Sequence, residues 1–131
     1  MARARLNVVD SSGWLEYFAD GPGAKRFASP IEAVGTLLVP TICLLEVFKV
    51  VLRERDENDA LQAAALMQQG QLVGLDPSLA LSAAQLGVAH KLPLADSIVY
   101  ATAQAFGAVL WTQDTDFDGL PDVRYFRKAG R

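Results

Sequence analysis

Four carboxylates stand at positions where a folded domain can bring acidic side chains together. Asp10 directly follows the short apolar run at residues 6–9, and Asp114 follows a second apolar run closely. Glu46 and Asp96 lie near the starts of predicted helices, each of which follows a strand end or a turn. Neighbouring carboxylates repel one another unless a proton or a cation compensates their charge. Their arrangement therefore predicts a site for a divalent cation.

The residue types indicate which cation this would be. The chain has one cysteine, Cys43, and one histidine, His90, so it lacks the thiolate or imidazole cluster of a zinc or iron site. An all-oxygen site suits Mg²⁺ or Mn²⁺. Two such ions about 4 Å apart can activate water and stabilise the leaving oxygen in phosphodiester hydrolysis. Nuclease chemistry is the expectation.

We expect Cys43 to pack as a small apolar residue and His90 to end a helix.

Each acid also has a purely structural interpretation. Asp is a favoured N-cap, which explains Asp10 at a helix start, and the helix dipole favours an acid in the first turn, which explains Asp96. Glu46 interrupts an apolar stretch, so we expect it to face a polar cavity. The Asp-x-Asp-x-Asp run that begins at Asp114 resembles a calcium-binding loop. It lacks the later Gly and Glu of that loop, and a calcium-binding hand is not expected.

Size and composition indicate one globular domain over residues 1–131. Hydrophobic residues make up 51% and charged residues 21%, which is enough to form a buried core. No apolar stretch is long enough for a membrane span, and the apolar run after the basic start is too short for a signal peptide, so we expect a cytoplasmic protein. The mean hydropathy of +0.19 favours apolar surface for a partner.

The charge distribution restricts how the chain can meet nucleic acid. The net charge is −3 and the pI is about 5.0, which argues against binding by bulk electrostatics alone. Basic residues nevertheless gather near both ends of the sequence: Arg3, Arg5, Arg124, Arg127, Lys128 and Arg131. A local acidic pocket flanked by basic segments is compatible with this pattern.

Strands alternate with helices along the chain, which predicts an α/β fold with a central parallel sheet of about five strands and helices on both faces. Strands are predicted over 6–9, 36–39, 71–75, 108–111 and 123–126. Helices are predicted from 10–12 to the Gly-Pro-Gly at 21–23, and over 41–55, 58–69, 77–88 and 94–106, with caps at Thr41 and Asp76. Ligands of such sheets bind at the carboxyl ends of the strands, where Asp10 and Asp114 lie.

Four segments in this order resemble a PIN domain of the VapC toxin type. They are VVDSS at 8–12, LEV at 45–47, LADSIVYATA at 94–103 and TQDTDF at 112–117. The resemblance implies a metal-binding role for the four acids above, and it matches Asp116 to a less essential acid of the same site. It also matches Ser11 and Thr112 to hydroxyl positions beside the metal.

The resemblance implies a Mg²⁺- or Mn²⁺-dependent endoribonuclease that cuts RNA when it is released from a cognate antitoxin. It also implies a homodimer, with residues 23–36 or the helix after Thr41 in the interface. Because the chain is acidic, its RNA contacts must come from limited patches such as Lys25, Arg26, Lys49, Arg53 and Arg55, or from a dimer groove.

Two alternatives stay open. One is a PIN-like module that has lost catalysis and binds only RNA or protein; its expected mark is a substituted acid, and none of the acids in the pattern is substituted. The other is a Mg²⁺-dependent phosphoacceptor domain, which also uses an Asp at a strand end. That class needs a further acidic pair near the first strand, whereas Val9 and Ser11 flank Asp10.

Overall fold

Five short parallel strands form one central sheet in the computed structural model, which describes residues 5–129. The strands are β1 (Asn7–Val9), β2 (Leu37–Pro40), β3 (Gln71–Val73), β4 (Val109–Thr112) and β5 (Val123–Tyr125). Their order across the sheet is β3-β2-β1-β4-β5, and every neighbouring pair is parallel. The predicted α/β class and the five-stranded parallel sheet are confirmed. Arg3 and Arg131, from the predicted basic ends, lie outside the described residues.

Six helices connect the strands. They are α1 (Ser11–Phe18), α2 (Ala24–Glu32), α3 (Thr41–Glu54), α4 (Glu57–Met67), α5 (Pro77–His90) and α6 (Leu94–Ala105). The chain moves outward from β1 to β3 and then returns across the sheet to β4. Right-handed crossovers therefore place α5 and α6 on the face opposite α1 and α2. This reversal between β1 and β4 creates the crevice in which ligands of open α/β sheets bind.

The core explains why the two central strands are so apolar. Val8, Val9 and Leu110 have no exposed surface, because the sheet is covered on both sides at β1 and β4. Trp14 of α1 and Phe27 of α2 are fully buried in the same core. Cys43 is also fully buried, as expected of a small apolar side chain. The central strands are thus held rigidly at the ends from which the acids emerge.

Most predicted boundaries agree with the structure to within one or two residues, and two local predictions fail. Helix α2 was not among the predicted elements, because its sequence AKRFASPIE is polar on average and contains Pro30. Thr41 is not an N-cap: it is the first residue of α3, and Pro40 precedes it without a side-chain cap. The cap at Asp76 is confirmed, since its carboxylate accepts a hydrogen bond from the Leu79 amide at 2.8 Å.

His90 is the last residue of α5, and its ring packs edge-on against Tyr100 with 5.7 Å between centroids. It therefore has the helix-end role predicted for it.

Among the described residues, no helix combines the length and the apolar character that a membrane crossing requires.

Candidate metal centre

The carboxyl ends of β1 and β4 lie side by side and position two of the predicted acids. Val9 pairs with Trp111 across these strands, and the Asp10 amide donates to the Trp111 carbonyl oxygen at 3.2 Å. Asp10 is therefore the residue at which β1 turns into α1. Asp114 follows β4 by two residues and begins the short 3₁₀ turn at Thr115–Phe117. Parallel pairing thus brings together acids that are 104 residues apart in sequence.

Asp10 is buried and held by three donors. Its Oδ1 accepts hydrogen bonds from the Gly13 amide at 3.0 Å and from the Ser12 hydroxyl at 2.7 Å. Its Oδ2 accepts from the Thr112 hydroxyl at 2.7 Å, while the Thr112 oxygen accepts from the Asp114 amide at 2.9 Å. The capping interpretation of Asp10 is therefore correct. The same hydrogen bonds also fix its carboxylate between the two strand ends.

A second group of carboxylates lies beside Asp10. One oxygen from each of Asp96, Asp114 and Asp116 falls within 4.8 Å of the other two. Asp96 lies in the first turn of α6, and the Asp116 amide donates to the Asp114 carboxylate at 2.9 Å. Asp10 lies outside this triplet, but its charge contributes to raising the pKa of Asp96. We call Asp96, Asp114 and Asp116 the acidic triplet.

Glu46 reaches the same region through a hydroxyl. It is half-buried on α3, and its carboxylate accepts a hydrogen bond from the Ser11 hydroxyl at 2.7 Å. Ser11 is the residue that follows Asp10, so Glu46 approaches the first strand end from the side of α3. Glu46 does not belong to the acidic triplet. Glu46 therefore has a polar partner in Ser11, and the polar cavity expected from the sequence stays a prediction.

The pKa shifts show that these acids share one environment. Burial raises the pKa of Asp10 to about 6, against the lowering effect of its three hydrogen-bond donors. Burial also raises the pKa of Asp96 to about 8, with further contributions from the charges of Asp114, Asp116 and Asp10. Burial above all, together with the charges of Asp10, Glu46 and Asp96, raises the pKa of the Cys43 thiol. Negative charge is therefore destabilised at Asp10, Asp96 and Cys43.

The donor set fits a hard divalent cation. The triplet offers only carboxylate oxygens, which are the ligands that Mg²⁺ and Mn²⁺ prefer. A divalent cation would offset the neighbouring negative charge that, after burial, raises the pKa of Asp96. Asp10 already accepts three hydrogen bonds on its two oxygens, and an ionised carboxylate has about four acceptor positions, so it retains room for one further interaction.

Two residues of the site were not predicted from the sequence. Ser12 donates to Asp10, and its oxygen accepts from the Gln113 amide at 3.3 Å. Glu16 accepts from the Gly23 amide at 2.7 Å and from the Gln113 side chain at 3.4 Å, which ties the start of α2 to the segment before Asp114. The Asp-Ser-Ser sequence indicates a cap, but it does not show which hydroxyl turns inward.

Comparisons with known proteins agree with this arrangement. The family model described as "PIN domain" matches residues 8–123. A toxin-antitoxin complex from Klebsiella pneumoniae superposes with a TM-score of 0.74 at 23% identity, covering 90% of this chain and 95% of that one. VapC20 of Mycobacterium tuberculosis, described as a sarcin-ricin loop cleaving toxin, gives 0.73 at 19% identity, covering 89% and 96%.

VapBC2 from Rickettsia felis, solved with a DNA fragment from its promoter, gives a TM-score of 0.72 at 11% identity and covers 92% of this chain and 97% of that chain. A comparison with curated protein sequences gives no significant match. The chain is a parallel α/β domain whose acidic side chains gather at the carboxyl edge of the sheet. The extent of the family match identifies it further: the chain belongs to the PIN domain family.

The raised pKa of Asp96 predicts a pH dependence of stability. Unfolding returns this carboxyl from a pKa of about 8 to the ordinary value of 3.8, so between these values the unfolded chain binds fewer protons than the folded one. The free energy of unfolding of the metal-free protein should therefore fall as pH rises from 5 to 8. Thermal denaturation in the presence of a chelator measures this slope.

Asp96→Asn should flatten this slope above pH 6, because the amide does not titrate; below pH 6 the raised pKa of Asp10, about 6, still contributes. Asp118→Asn is the matched control: Asp118 is exposed, and its side chain forms no hydrogen bond or ion pair with another described residue. If the slope is as steep in Asp96→Asn as in the wild type, the group that causes it is not Asp96.

Proposed function

We propose that this PIN domain is a metal-dependent endoribonuclease and acts in the cytoplasm as the toxin of a toxin–antitoxin pair. The observation that carries this proposal is the acidic triplet, whose oxygens lie within 4.8 Å of one another beside the buried Asp10. Three carboxylates at this spacing, with no basic residue in ion-pair contact with any of them among the described residues, are suited to a divalent cation.

The acids of the site have different roles. Asp96, Asp114 and Asp116 hold Mg²⁺ or Mn²⁺, and Asp10 and Glu46 complete the negative wall of the pocket. A bound ion would lower the pKa of water and neutralise charge that develops on the phosphodiester. Ser12 and Thr112 position Asp10 through their hydroxyl groups, and Ser11 positions Glu46. No protein nucleophile is required.

The toxin role is supported by the partners of similar structures and by the surface of α3. One neighbour in structure is described as a toxin–antitoxin complex, and two others are described as VapBC proteins bound to DNA. In this chain, an open apolar groove of about 510 Å³ is lined by Thr41, Leu44, Leu45, Phe48, Lys49, Leu52 and Ala64. Leu45 is 57% exposed. We propose that the antitoxin covers this groove, since exposed apolar surface of this kind favours a protein partner.

Amide substitutions in the triplet test the enzymatic proposal. Asp114→Asn keeps the size of the side chain and an oxygen that can accept the Asp116 amide, but it removes one charge from the metal site. RNA cleavage with Mg²⁺ or Mn²⁺ should fall by about a hundredfold or more, in line with the loss of a group that stabilises transition-state charge. The measurement is cleavage of a labelled RNA by purified protein, with and without excess chelator.

Asp118→Asn removes the same charge from the same segment and should keep wild-type cleavage. Expression in a bacterial host should inhibit growth for the wild type and Asp118→Asn, but not for Asp114→Asn at equal protein level. Cleavage that survives chelation, or equal activity of the two variants, would refute the proposed mechanism.

We also propose a homodimer with α5 in its interface, in place of residues 23–36. The other segment expected from the sequence, the helix after Thr41, carries the groove that we assign to the antitoxin. Leu81 and Val88, seven residues apart on one face of α5, are 71% and 83% exposed. The helix contains no Asp, Glu, Lys or Arg. In the suggested segment 23–36, Val34 is the only large hydrophobic residue that is exposed, at 38%.

Light scattering at micromolar concentration should give the mass of a dimer for the wild type and of a monomer for Leu81→Glu. The charge lies at the centre of the proposed contact, where burial without a partner is costly. Leu61→Glu, which changes a leucine on α4 that is 53% exposed, should remain dimeric. A monomeric wild type would refute the dimer, and a dimeric Leu81→Glu would refute this interface.

A further inference from the structure

Cationic and aromatic side chains interleave along the β5 edge of the sheet. The guanidinium of Arg124 lies 4.2 Å from the ring centroid of Trp111 and 5.6 Å from that of Phe126. The guanidinium of Arg26, from α2, lies 5.4 Å from the Phe126 centroid, and its Nη1 donates to the Arg127 carbonyl oxygen at 3.4 Å. We call Lys25, Arg26, Arg124 and Arg127 the basic strip.

Arg26 and Arg124 of the strip stack on rings that are themselves packed in place, although their charges are exposed. Phe126 packs edge-on against the buried Phe27 at 5.8 Å and lies 5.9 Å from Trp111, whose indole N–H donates to Asn7 at 2.8 Å. All four cationic residues are exposed. Guanidinium groups stacked on fixed rings keep their N–H edges free for an anion, at little further cost in conformational entropy.

No carboxylate of a described residue pairs with the strip. The ion pairs of the described residues are Arg5–Asp122, Arg53–Glu54 and Arg55–Asp59, none of which includes a strip residue. Helix stability does not explain Lys25 and Arg26 either, because they stand in the first turn of α2, where the dipole disfavours cations. In a chain of net charge −3, a group of unpaired cations on one face favours an external anion.

The strip begins next to the candidate metal centre. β5 pairs with β4 so that Tyr125 lies opposite Thr112, and the Phe126 amide donates to the Thr112 carbonyl oxygen at 2.8 Å. Phe126 therefore lies level with Gln113, one residue before Asp114. The start of α2 is tied to Gln113 through Glu16. A chain of phosphates that enters the acidic pocket would thus leave it along the strip.

We propose that the basic strip binds the backbone of single-stranded RNA beside the cleaved bond, with Arg124 and Arg26 contacting successive phosphates. This inference rests on the proposed function for the identity of the nucleic acid. Single-stranded RNA is flexible enough to lie along the short β-strand at the edge of the sheet. Its bases can stack on guanidinium planes, as in other surfaces that bind single strands. The Arg53 and Arg55 candidates named from the sequence are less suited, since both already pair with carboxylates.

RNA binding measured without a divalent cation reports the contribution of the strip separately from catalysis, because metal-dependent cleavage cannot occur. The probe is a short fluorescent single-stranded RNA, titrated with the full chain in excess chelator over a range of salt concentrations. Each phosphate contact to a single strand contributes about 0.7 to the slope of log K against log salt. The double variant Arg26→Gln/Arg124→Gln should lose about 1.4 of this slope and bind at least about tenfold more weakly at 0.1 M salt.

The control Arg53→Gln/Arg55→Gln removes the same charge elsewhere, from side chains that are 63% and 65% exposed, and should weaken binding by no more than about twofold. Arg124→Lys keeps the charge but loses the planar stack, so it should retain most of the slope. Because Arg124 covers Trp111, the melting temperature of each variant is measured, and Arg26→Gln alone should still lose about 0.7 of the slope if the double variant unfolds.

Equal weakening in the two double variants, or no weakening in the strip variant, would overturn the inference. So would a strip that binds duplex DNA or an acidic peptide more tightly than single-stranded RNA, because the occupant would then be of another class. A protein that binds RNA through the strip but cleaves none would support the inference while refuting the proposed nuclease. With an active enzyme, the strip variant should raise KM and leave kcat nearly unchanged.

Discussion

The repulsion between carboxylates gathered at one edge of the sheet is the constraint on which the site depends. Burial and neighbouring charge raise the pKa of Asp96 to about 8, which means that the folded chain brings these acids together at a cost. At Asp10, the hydroxyl groups of Ser12 and Thr112 each donate a hydrogen bond at 2.7 Å, and these bonds stabilise the ionised carboxylate. Among residues 5–129, the acidic triplet receives one hydrogen-bond donor, the Asp116 amide to Asp114, and a divalent cation would be its compensating charge.

The strand order of the sheet brings these acids together at one edge. β1 and β4 are neighbours although about a hundred residues separate them, because the chain reverses direction after β3. Their carboxyl ends present Asp10 and Asp114 together, and α6 adds Asp96 from the helix that precedes β4. The apolar cover on both faces fixes these strand ends. On the other side of β4, the edge strand β5 carries Arg124 of the basic strip, and Phe126 lies level with Gln113, one residue before Asp114.

Much of this arrangement could be predicted from local sequence. Apolar runs followed by Asp mark β1 and β4, and the parallel α/β pattern implies that their ends meet. The contacts made across the sheet could not be predicted. Thr112 reaches Asp10 over 102 residues, and the stacking of Arg124 on Trp111 depends on the register of β4 and β5. Asp10 also shows that a structural interpretation and a functional one need not compete, since the carboxylate that caps α1 also lies at the site.

The central claim is that the acidic triplet binds a divalent cation. Anomalous diffraction from crystals grown with Mn²⁺ tests it most directly, because the signal locates the metal without reference to activity. We expect a Mn²⁺ peak bounded by the carboxylates of Asp96, Asp114 and Asp116, at the coordination distances of about 2 to 2.5 Å that oxygen ligands adopt. The same peak should be missing from crystals of Asp114→Asn. A peak elsewhere, or none at saturating Mn²⁺, would contradict the account.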